Sequence, residues 1–485
     1  MRYSSGEHTL GNELSDTVSP QYPHSHTENK VEQKYTIIIK RVLKKIVPSD
    51  IERREIERVA AETLEKIKKI LHKNISEPFL VEIHGSLAKD TWLSGARDID
   101  IFVFFKKKLR KENLKKIVEI IGEKLKYSYE FRFAEHPYIH LRAKNFEIDV
   151  VPGFFIDKVE SPIDRSPYHT RFINEMLTDL QKDQVRLLKA FLKGINCYGA
   201  EIKIGGFSGY LCELLILAFG NFINTLKQIS KQREIFIDFT HSWSKKRAMF
   251  HFKSPMIVID PVDRNRNAAA AVKIETLNRI RFFAKLFLEK PSLSFFFPSK
   301  LDIPEHLLLN ELQTRNIILV VLSINSVVED IYWGQGLRIV NKLRNHLIQH
   351  GFRVINIKAW DIQRYFVIGV ELIEKDIKIC KIVGPPIYCS SEHLIRFLVK
   401  HRKIWLNRGR IFTIKSKTIN AGEIIEETLK KLKLKPSFTE FKVITSPSEI
   451  LEFARKTNSI EKLSEFLFGE VIRFFQEYFE CKNGL

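Results

Sequence analysis

Apolar positions change period twice along the first third of the chain. From Ser49 they recur as Ile56, Val59, Ala60, Leu64, Ile67, Ile70 and Leu71, a spacing of three and four that marks one buried helix face. Ser49-Asp-Ile-Glu52, behind Pro48, supplies a capping box for that helix. A short basic helix precedes it, opening at Tyr35-Thr-Ile-Ile-Ile-Lys40. Residues 1–34 are rich in Ser, Thr, Glu, His and Asn, have little apolar periodicity, and read as a disordered leader; His8, His24 and His26 within it read as solvated. From Phe79 the pattern turns to strands: Phe79–His84, Ile99–Phe105, Tyr129–Ala134, Tyr138–Ala143 and Phe146–Val151, with a helix near Lys111–Lys126 between the second and third. Pro152, Pro162 and Pro167 punctuate an exit loop.

Beyond that loop, residues from about Arg171 to Lys290 read mainly as helices, including Gln181–Leu192 and Gly209–Ile223, with one short strand at Met256–Ile259. A third region opens after Pro291 and Phe295-Phe-Phe-Pro298. Its succession of strand Asn316–Leu322, helix Gly336–His350 and strands Arg353–Lys358 and Arg364–Ile373 predicts a small split-βαβ sheet of a kind used by RNA-binding domains. Basic helices follow at His393–Lys403, Gly422–Lys435 and from Ser446 onward, and no internal repeat is visible. The expected organisation is a leader (1–34), an α+β unit (35–178), a mainly helical central unit (179–290) and a C-terminal α/β and helical region (291–485), consistent with a chain too long for one core.

Candidate chemistry sits in the strand-rich part, at His84-Gly-Ser-Leu-Ala-Lys-Asp-Thr-Trp-Leu-Ser-Gly-Ala-Arg-Asp-Ile-Asp100. Residues two apart on a strand share a face, so Asp98 and Asp100 can converge on one point, and Asp149 lies in another strand-like segment. Oxygen donors of this kind suit Mg²⁺ shared with water and substrate phosphates. An Asp-x-Asp alone is commonly a solvated strand end, and it also occurs in sugar-nucleotide transferases. Together with the Gly85-Ser86 turn and the third acid, it favours transfer of a nucleotidyl group from a triphosphate. A P-loop is absent, which disfavours a P-loop NTPase.

Charge sharpens this reading. Lys+Arg 79 against Asp+Glu 58 gives +21, an excess that favours a polyanionic partner, nucleic acid ahead of an anionic membrane. Lys106-Lys-Lys108 and Lys430-Lys-Leu-Lys-Leu-Lys435 are candidate RNA-backbone patches or plain solvated faces; Tyr332 and Trp333 are candidates for stacking on RNA or for core burial. Cys197, Cys212, Cys380, Cys389 and Cys481 form no Cys-x-x-Cys pair, which suits buried thiols in a reducing compartment. With neither a membrane-spanning apolar run nor a hydrophobic signal core, the expectation is a soluble cytoplasmic protein with no membrane partner.

A set of separated strings, in order, resembles the archaeal-type (class I) CCA-adding enzymes, the tRNA nucleotidyltransferases. They are Gly85-Ser86-Leu-Ala-Lys-Asp-Thr-Trp-Leu93, Asp98-Ile-Asp100, Ala134-Glu-His-Pro-Tyr138, Asp149-Val-Val-Pro152 and Ile163-Asp-Arg-Ser-Pro-Tyr-His169, then Val185-Arg-Leu-Leu-Lys189, Ile195-Asn-Cys-Tyr-Gly-Ala-Glu201, Gly206-Phe-Ser-Gly-Tyr-Leu-Cys-Glu-Leu-Leu215 and Asp260-Pro-Val-Asp263 with Arg266-Asn267. The resemblance covers the chain from about Lys34 to the C-terminal helices. It implies an α+β multidomain protein with a polymerase beta-like nucleotidyltransferase domain, a helical central domain and a C-terminal α/β RNA-binding region.

It also implies roles. Asp98, Asp100 and Asp149 would be catalytic and hold two Mg²⁺ ions. Gly85, Ser86 and Lys89 would meet the phosphates of the incoming nucleotide, His169, Lys189 and Tyr198 its triphosphate, with His136 as a helper, and Arg266 would approach the base. Lys89 stands where relatives often carry Arg, and Asp98 where Glu is often found. The implied partners are CTP, ATP and the acceptor end of tRNA; a homodimer is left open. Poly(A) polymerase, oligoadenylate synthase and a catalytically dead RNA-binding protein are the rival readings. Each residue also has a bland reading: Lys189 a solvated helix lysine, His169 a helix cap, Tyr198 an edge-of-core aromatic, Arg266 a surface partner of Asp263.

Overall fold

The computed structural model describes residues 25–106, 109–133, 137–154 and 165–474. Two helices open it, α1 (Ser25–Ile46) and α2 (Asp50–Asn74). α1 begins inside the stretch read as a leader, whose residues 1–24 lie outside the described part. The capping box at Ser49 forms as expected. Its Glu52 also accepts from Ser94 Oγ and Gly95 N, each at 2.9 Å, so the start of α2 is tied to the loop that leads into the acidic strand. The Ser49 amide, helped by the Gly95 and Ser94 donors, outweighs burial and holds the Glu52 carboxyl down at about 2.

The sheet-forming part runs β1 (Phe79–His84), α3 (Gly85–Ala88), β2 (Asp98–Phe105), α4 (Lys111–Leu125), β3 (Ser128–Phe133), β4 (Pro137–Ala143) and β5 (Phe146–Phe154). The strand order is β1-β2-β5-β4-β3, with β2 and β5 parallel and the other pairs antiparallel. Alternation along β2 sends Ile99, Ile101, Val103 and Phe105 into a core shared with α2 and α4. The opposite face therefore carries Asp98 and Asp100, followed by Phe102 and Phe104, which stack on each other. Burying one face against helices exposes the other for chemistry.

The central part comprises α5 (Arg165–Met176), α6 (Asp179–Gly194), α7 (Gly209–Phe219), α8 (Phe222–Lys231), β6 (Ile235–Asp238), α9 (Lys245–Phe252), β7 (Met256–Asp260), β8 (Asp263–Asn267) and α10 (Ile274–Glu289). Where the sequence shows one strand, the chain builds a small β6-β7-β8 sheet. β8 reads Asp-Arg-Asn-Arg-Asn and has no apolar alternation to betray it. α7 and α8 bend by 92° across Gly220-Asn221, and no single described helix is long and apolar enough to cross a membrane. Phe191, Phe222, Phe287, Phe295 and Phe296 pack edge-on and stacked in this core, which also takes in Val42 and Ile46 of α1.

The C-terminal part continues with α11 (Glu305–Thr314), β9 (Asn316–Ile324), α12 (Glu329–Gln349), β10 (Val354–Ile362), β11 (Tyr365–Leu372), β12 (Asp376–Pro386), α13 (Ser391–Lys400), β13 (Ile404–Asn407), β14 (Arg410–Asn420), α14 (Ala421–Lys431), β15 (Phe438–Ile444), α15 (Pro447–Lys456) and α16 (Ile460–Phe468). β9, α12, β10, β11, α14 and β15 make the expected split βαβ sheet, in the order β10-β11-β9-β15 with every pair antiparallel. Into it is inserted a β12-β14-β13 sheet, where the sequence pattern predicts no strands. α12 starts at Glu329, seven residues before the expected Gly336.

Trp333 is buried edge-on against Phe366, and both its indole and the Tyr332 hydroxyl donate to Asp361, so these rings belong to the fold rather than to an RNA-stacking surface. Lys430 and Lys431 pair with Glu426 and Glu427 one helical turn away, as lysines on a solvated face do. Of the other basic run only Lys106 is described.

Gly194 ends α6 where a Cβ would stand 2.1 Å from the Phe295 carbonyl oxygen. Helix propensity alone favours alanine over glycine by ~1 kcal/mol. The backbone contact reverses that preference, so Gly194→Ala is expected to lower the melting temperature, measured by calorimetry; a rise would show that the Phe295 segment yields freely.

Candidate active site

The three aspartates meet because of strand register. β2 and β5 run parallel with Asp100 opposite Asp149 and Asp98 opposite Glu147. All three therefore stand on the open face of the sheet, Asp98 exposed and the other two half-buried. Burial, then the charges of Asp149 and Asp98, pushes the Asp100 carboxyl up to about 6. Asp98 is raised as well, by desolvation first and Glu147 next. Asp149 is aimed by His140, buried on the neighbouring β4, whose Nδ1 donates to Asp149 Oδ1 at 2.6 Å.

The carboxylates converge without forming a finished cage: among the described residues no group of three or more His, Cys, Asp or Glu could hold a metal ion by itself. The donor set is oxygen only, and burial and like charge raise the Asp98 and Asp100 carboxyls. It fits a hard divalent cation whose remaining ligands come from water and substrate phosphates.

Gly85 sits where β1 turns into α3, with a left-handed φ of +68°, and a Cβ there would lie 1.8 Å from Asp100 Oδ2. Only glycine lets the turn carrying Ser86 approach the acids so closely. The loop after α3 then plugs into the central helices. Lys89 Nζ donates to Glu213 at 2.5 Å, Thr91 Oγ1 donates to the other Glu213 oxygen at 2.6 Å, and Lys189 Nζ donates to the Thr91 carbonyl at 2.9 Å. Lys189 also lies 3.6 Å from Glu213.

All four of these side chains are buried, so Lys189 is no solvated helix lysine. Burial lowers the Lys189 ammonium, while Lys89 and Lys189 overcome burial and keep Glu213 ionised. Beside them Arg186 donates to the Asp90 carbonyl and carboxylate and to the Trp92 carbonyl. Tyr198 is half-buried against this wall, with Lys193 5.3 Å above its ring.

A second buried acid organises a histidine, an arginine and a tyrosine; burial lowers the His169 imidazolium below its usual range. Asp260, at the end of β7, accepts from His169 Nε2 at 2.9 Å, Arg266 Nη1 at 2.7 Å and Tyr210 Oη at 3.1 Å. Burial opposes its ionisation, but His169 and Arg266 prevail and hold the carboxyl at about 2. His169 lies within α5, not at its start, and stacks on Tyr210 at 3.8 Å between ring centres. Arg266 pairs with Asp260 and not with Asp263, which is taken by Arg165 at 2.7 Å.

Sequence reasoning brought out the cations but missed their anchors, Glu213, Asp260, Tyr210 and His140. Tyr210 and Glu213, three residues apart on α7, share a face, and that polar pair inside an apolar helix was the available signal. His136 and Glu135 lie outside the described residues.

Comparison with known proteins gives matches along most of the chain. Residues 64–177 match the nucleotidyltransferase domain family, 183–297 the second domain of tRNA nucleotidyltransferases, and 313–435 the C-terminal domain of CCA-adding enzymes. A CCA-adding enzyme of Sulfurisphaera tokodaii is 39% identical over 431 residues, covering 86% of this chain and 98% of that protein. One from Saccharolobus islandicus is 37% identical over 431 residues, covering 87% and 99%. The chain belongs to the CCA-adding enzyme family. It is thus a tRNA nucleotidyltransferase by family, and the β2–β5 acids and the Gly85-Ser86 turn lie within the match to the nucleotidyltransferase domain.

Because the Asp100 carboxyl is raised from 3.8 to about 6 on folding, the folded state holds the extra proton between those values. Its ionisation therefore subtracts stability as pH rises through that window, by at most ~3 kcal/mol. In metal-free protein, Asp100→Asn is expected to raise the melting temperature at pH 7.5 and to lose that advantage near pH 4; an advantage independent of pH would refute the raised carboxyl.

Proposed function

We propose that this CCA-adding enzyme rebuilds the 3′-terminal CCA of tRNA from CTP and ATP, one nucleotide at a time and without a nucleic-acid template. The terminal ribose hydroxyl attacks the α-phosphate of the incoming nucleotide in line, an oxygen–phosphorus bond forms, the bond to the β-phosphate bridging oxygen breaks, and pyrophosphate leaves. The observation that carries this reading is the parallel register of Asp100 with Asp149, beside Asp98, on the open face of the sheet.

Asp98, Asp100 and Asp149 would hold two Mg²⁺ ions, which when bound activate the ribose hydroxyl and neutralise the leaving pyrophosphate. His140, donating to Asp149 Oδ1, keeps that carboxylate turned toward the site. Lys89 and Lys189 share the single carboxylate of Glu213. The cluster therefore brings two lysines to one carboxylate at the wall of the site, which supports a hold on triphosphate. His169 and Tyr198 complete that wall, and the Gly85-Ser86 turn approaches the phosphates from β1. Cations already fixed by packing cost little reorganisation when charge develops on the phosphates.

Base choice follows from hydrogen-bond pattern. C and A both present an exocyclic amino group beside a ring-nitrogen acceptor, whereas U and G present the reverse. Arg266, with one nitrogen committed to Asp260, has its other donors left for the ring-nitrogen acceptor, and the RNA backbone would supply the complementary acceptor for the amino group. A mismatched base leaves polar groups unpaired, at ~1–3 kcal/mol each.

The deciding assay combines the protein, Mg²⁺ and tRNA lacking its terminal CCA with each nucleoside triphosphate singly and mixed. Addition of C, C and then A is expected; efficient use of UTP, or long A tails on unrelated RNA, would move the protein to another transferase branch. Asp98→Asn and Asp100→Asn should each cut addition at least about a hundredfold, the loss of several kcal/mol of metal contact, while tRNA affinity, read by filter binding, stays within a few-fold. Near-normal turnover in either would refute the ligand assignment. If the +21 charge faces RNA, log K for tRNA should fall with log salt by about 0.7–0.9 per phosphate contacted; a flat response would return the excess to a solubility role.

A further inference from the structure

Asp260 has no access to solvent, yet its carboxylate gathers donors from separate elements of the central part. Oδ2 is shared by His169 Nε2 of α5 and Arg266 Nη1 of β8, at 2.9 and 2.7 Å. Oδ1 accepts from the Tyr210 hydroxyl of α7 and from the Val262 amide, both at 3.1 Å. Tyr210 closes the loop by stacking on the His169 ring with an interplanar angle of 24°. A buried carboxylate so fully engaged has no water to fall back on. If one partner moves, the carboxylate must follow it or lose a bond it cannot replace.

Sharing a single oxygen makes the two donors, the His169 imidazole and the Arg266 guanidinium, mechanically dependent. Arg266 is partly open to the site, while His169 is held from below by the same atom and from the side by Tyr210. We propose that Asp260 is a positioning residue through which base choice at Arg266 controls the phosphate grip at His169. The proposal rests on the roles given to Arg266 and His169 above and adds a link between them. A base whose edge matches Arg266 leaves the guanidinium where Asp260 holds it, and His169 stays on the phosphates. A base with the reverse pattern displaces the guanidinium, Asp260 turns with it, and His169 leaves its place. Discrimination then shows in kcat as well as in KM, because the wrong nucleotide is bound with its phosphates misaligned.

The test is a double-mutant cycle on the full-length protein with Asp260 kept throughout; because the double variant strips that buried acid of both basic partners, its melting temperature is recorded and Tyr210→Phe, which keeps both, is measured beside it. Arg266→Ala, His169→Ala and the double variant are compared for CTP and UTP addition to tRNA lacking CCA. Coupled residues give a double variant that loses about threefold or more less than the product of the single losses. In addition, Tyr210→Phe, which removes one donor from Asp260 but keeps the ring, should reduce the CTP-over-UTP preference through kcat, with KM for CTP little changed. Single losses that multiply in the double variant, together with an unchanged preference in Tyr210→Phe, would overturn the link while leaving both residues in their roles. An Arg266→Ala protein with unchanged base preference would instead refute the role of Arg266 itself, and the link with it.

Discussion

The join between the acidic sheet and the central helices hangs from one buried carboxylate, that of Glu213 on α7. It is fully enclosed and accepts from Lys89 and Thr91, which belong to the loop between α3 and β2, while Lys189 of α6 presses on it from the other side. A buried charge is tolerated only when it is paired and hydrogen-bonded. The loop that sets the spacing between the Gly85-Ser86 turn and the acidic strand is thus fastened to the central helices by a contact that cannot be partly made. Arg186, bonded to the backbone of the same loop, repeats the fastening one helical turn earlier.

The result is a cleft with two electrostatic walls. On the sheet side, burial first and then the neighbouring Asp149 and Asp98 charges make Asp100 resist ionisation. On the helical side, Lys89 and Lys189 are mounted on Glu213, and Arg266 with the His169 imidazole on Asp260. A phosphate chain with its cations is the complement of both walls at once. Neither wall is built by its conspicuous residues alone: lysines, a histidine and an arginine of that length would wander without the acids beneath them.

How much of this could be read from the sequence depended on whether the pattern was local. The α2 capping box, the period-two strands of the first sheet and the β-α-β-β succession of the last were legible because each is a property of a few consecutive residues. β8 was not, since Asp-Arg-Asn-Arg-Asn has strand geometry imposed by pairing with β7 rather than by its own composition. The inserted β12-β14-β13 sheet was missed for a related reason: its Lys-rich alternation reads as a basic surface until a partner strand supplies the second face. At the site, the aspartates were legible from spacing and the motif cations from family resemblance. Glu213 and Asp260 were not, because an acid becomes an anchor only when distant elements bring cations to it.

The insertion also dictates the order of events during synthesis. β9 is central in its sheet, yet one of its neighbours, β15, lies beyond the inserted strands, with Phe438 pairing opposite Ile324. Until that distant strand emerges, a nascent chain carries Ile317, Leu319 and Val321 on a half-finished β9 with an unpaired hydrogen-bonding edge. Such an edge invites pairing with other chains, and long-range closure of this kind is slow. The C-terminal sheet is therefore a part of the chain that calls for protection at the ribosome.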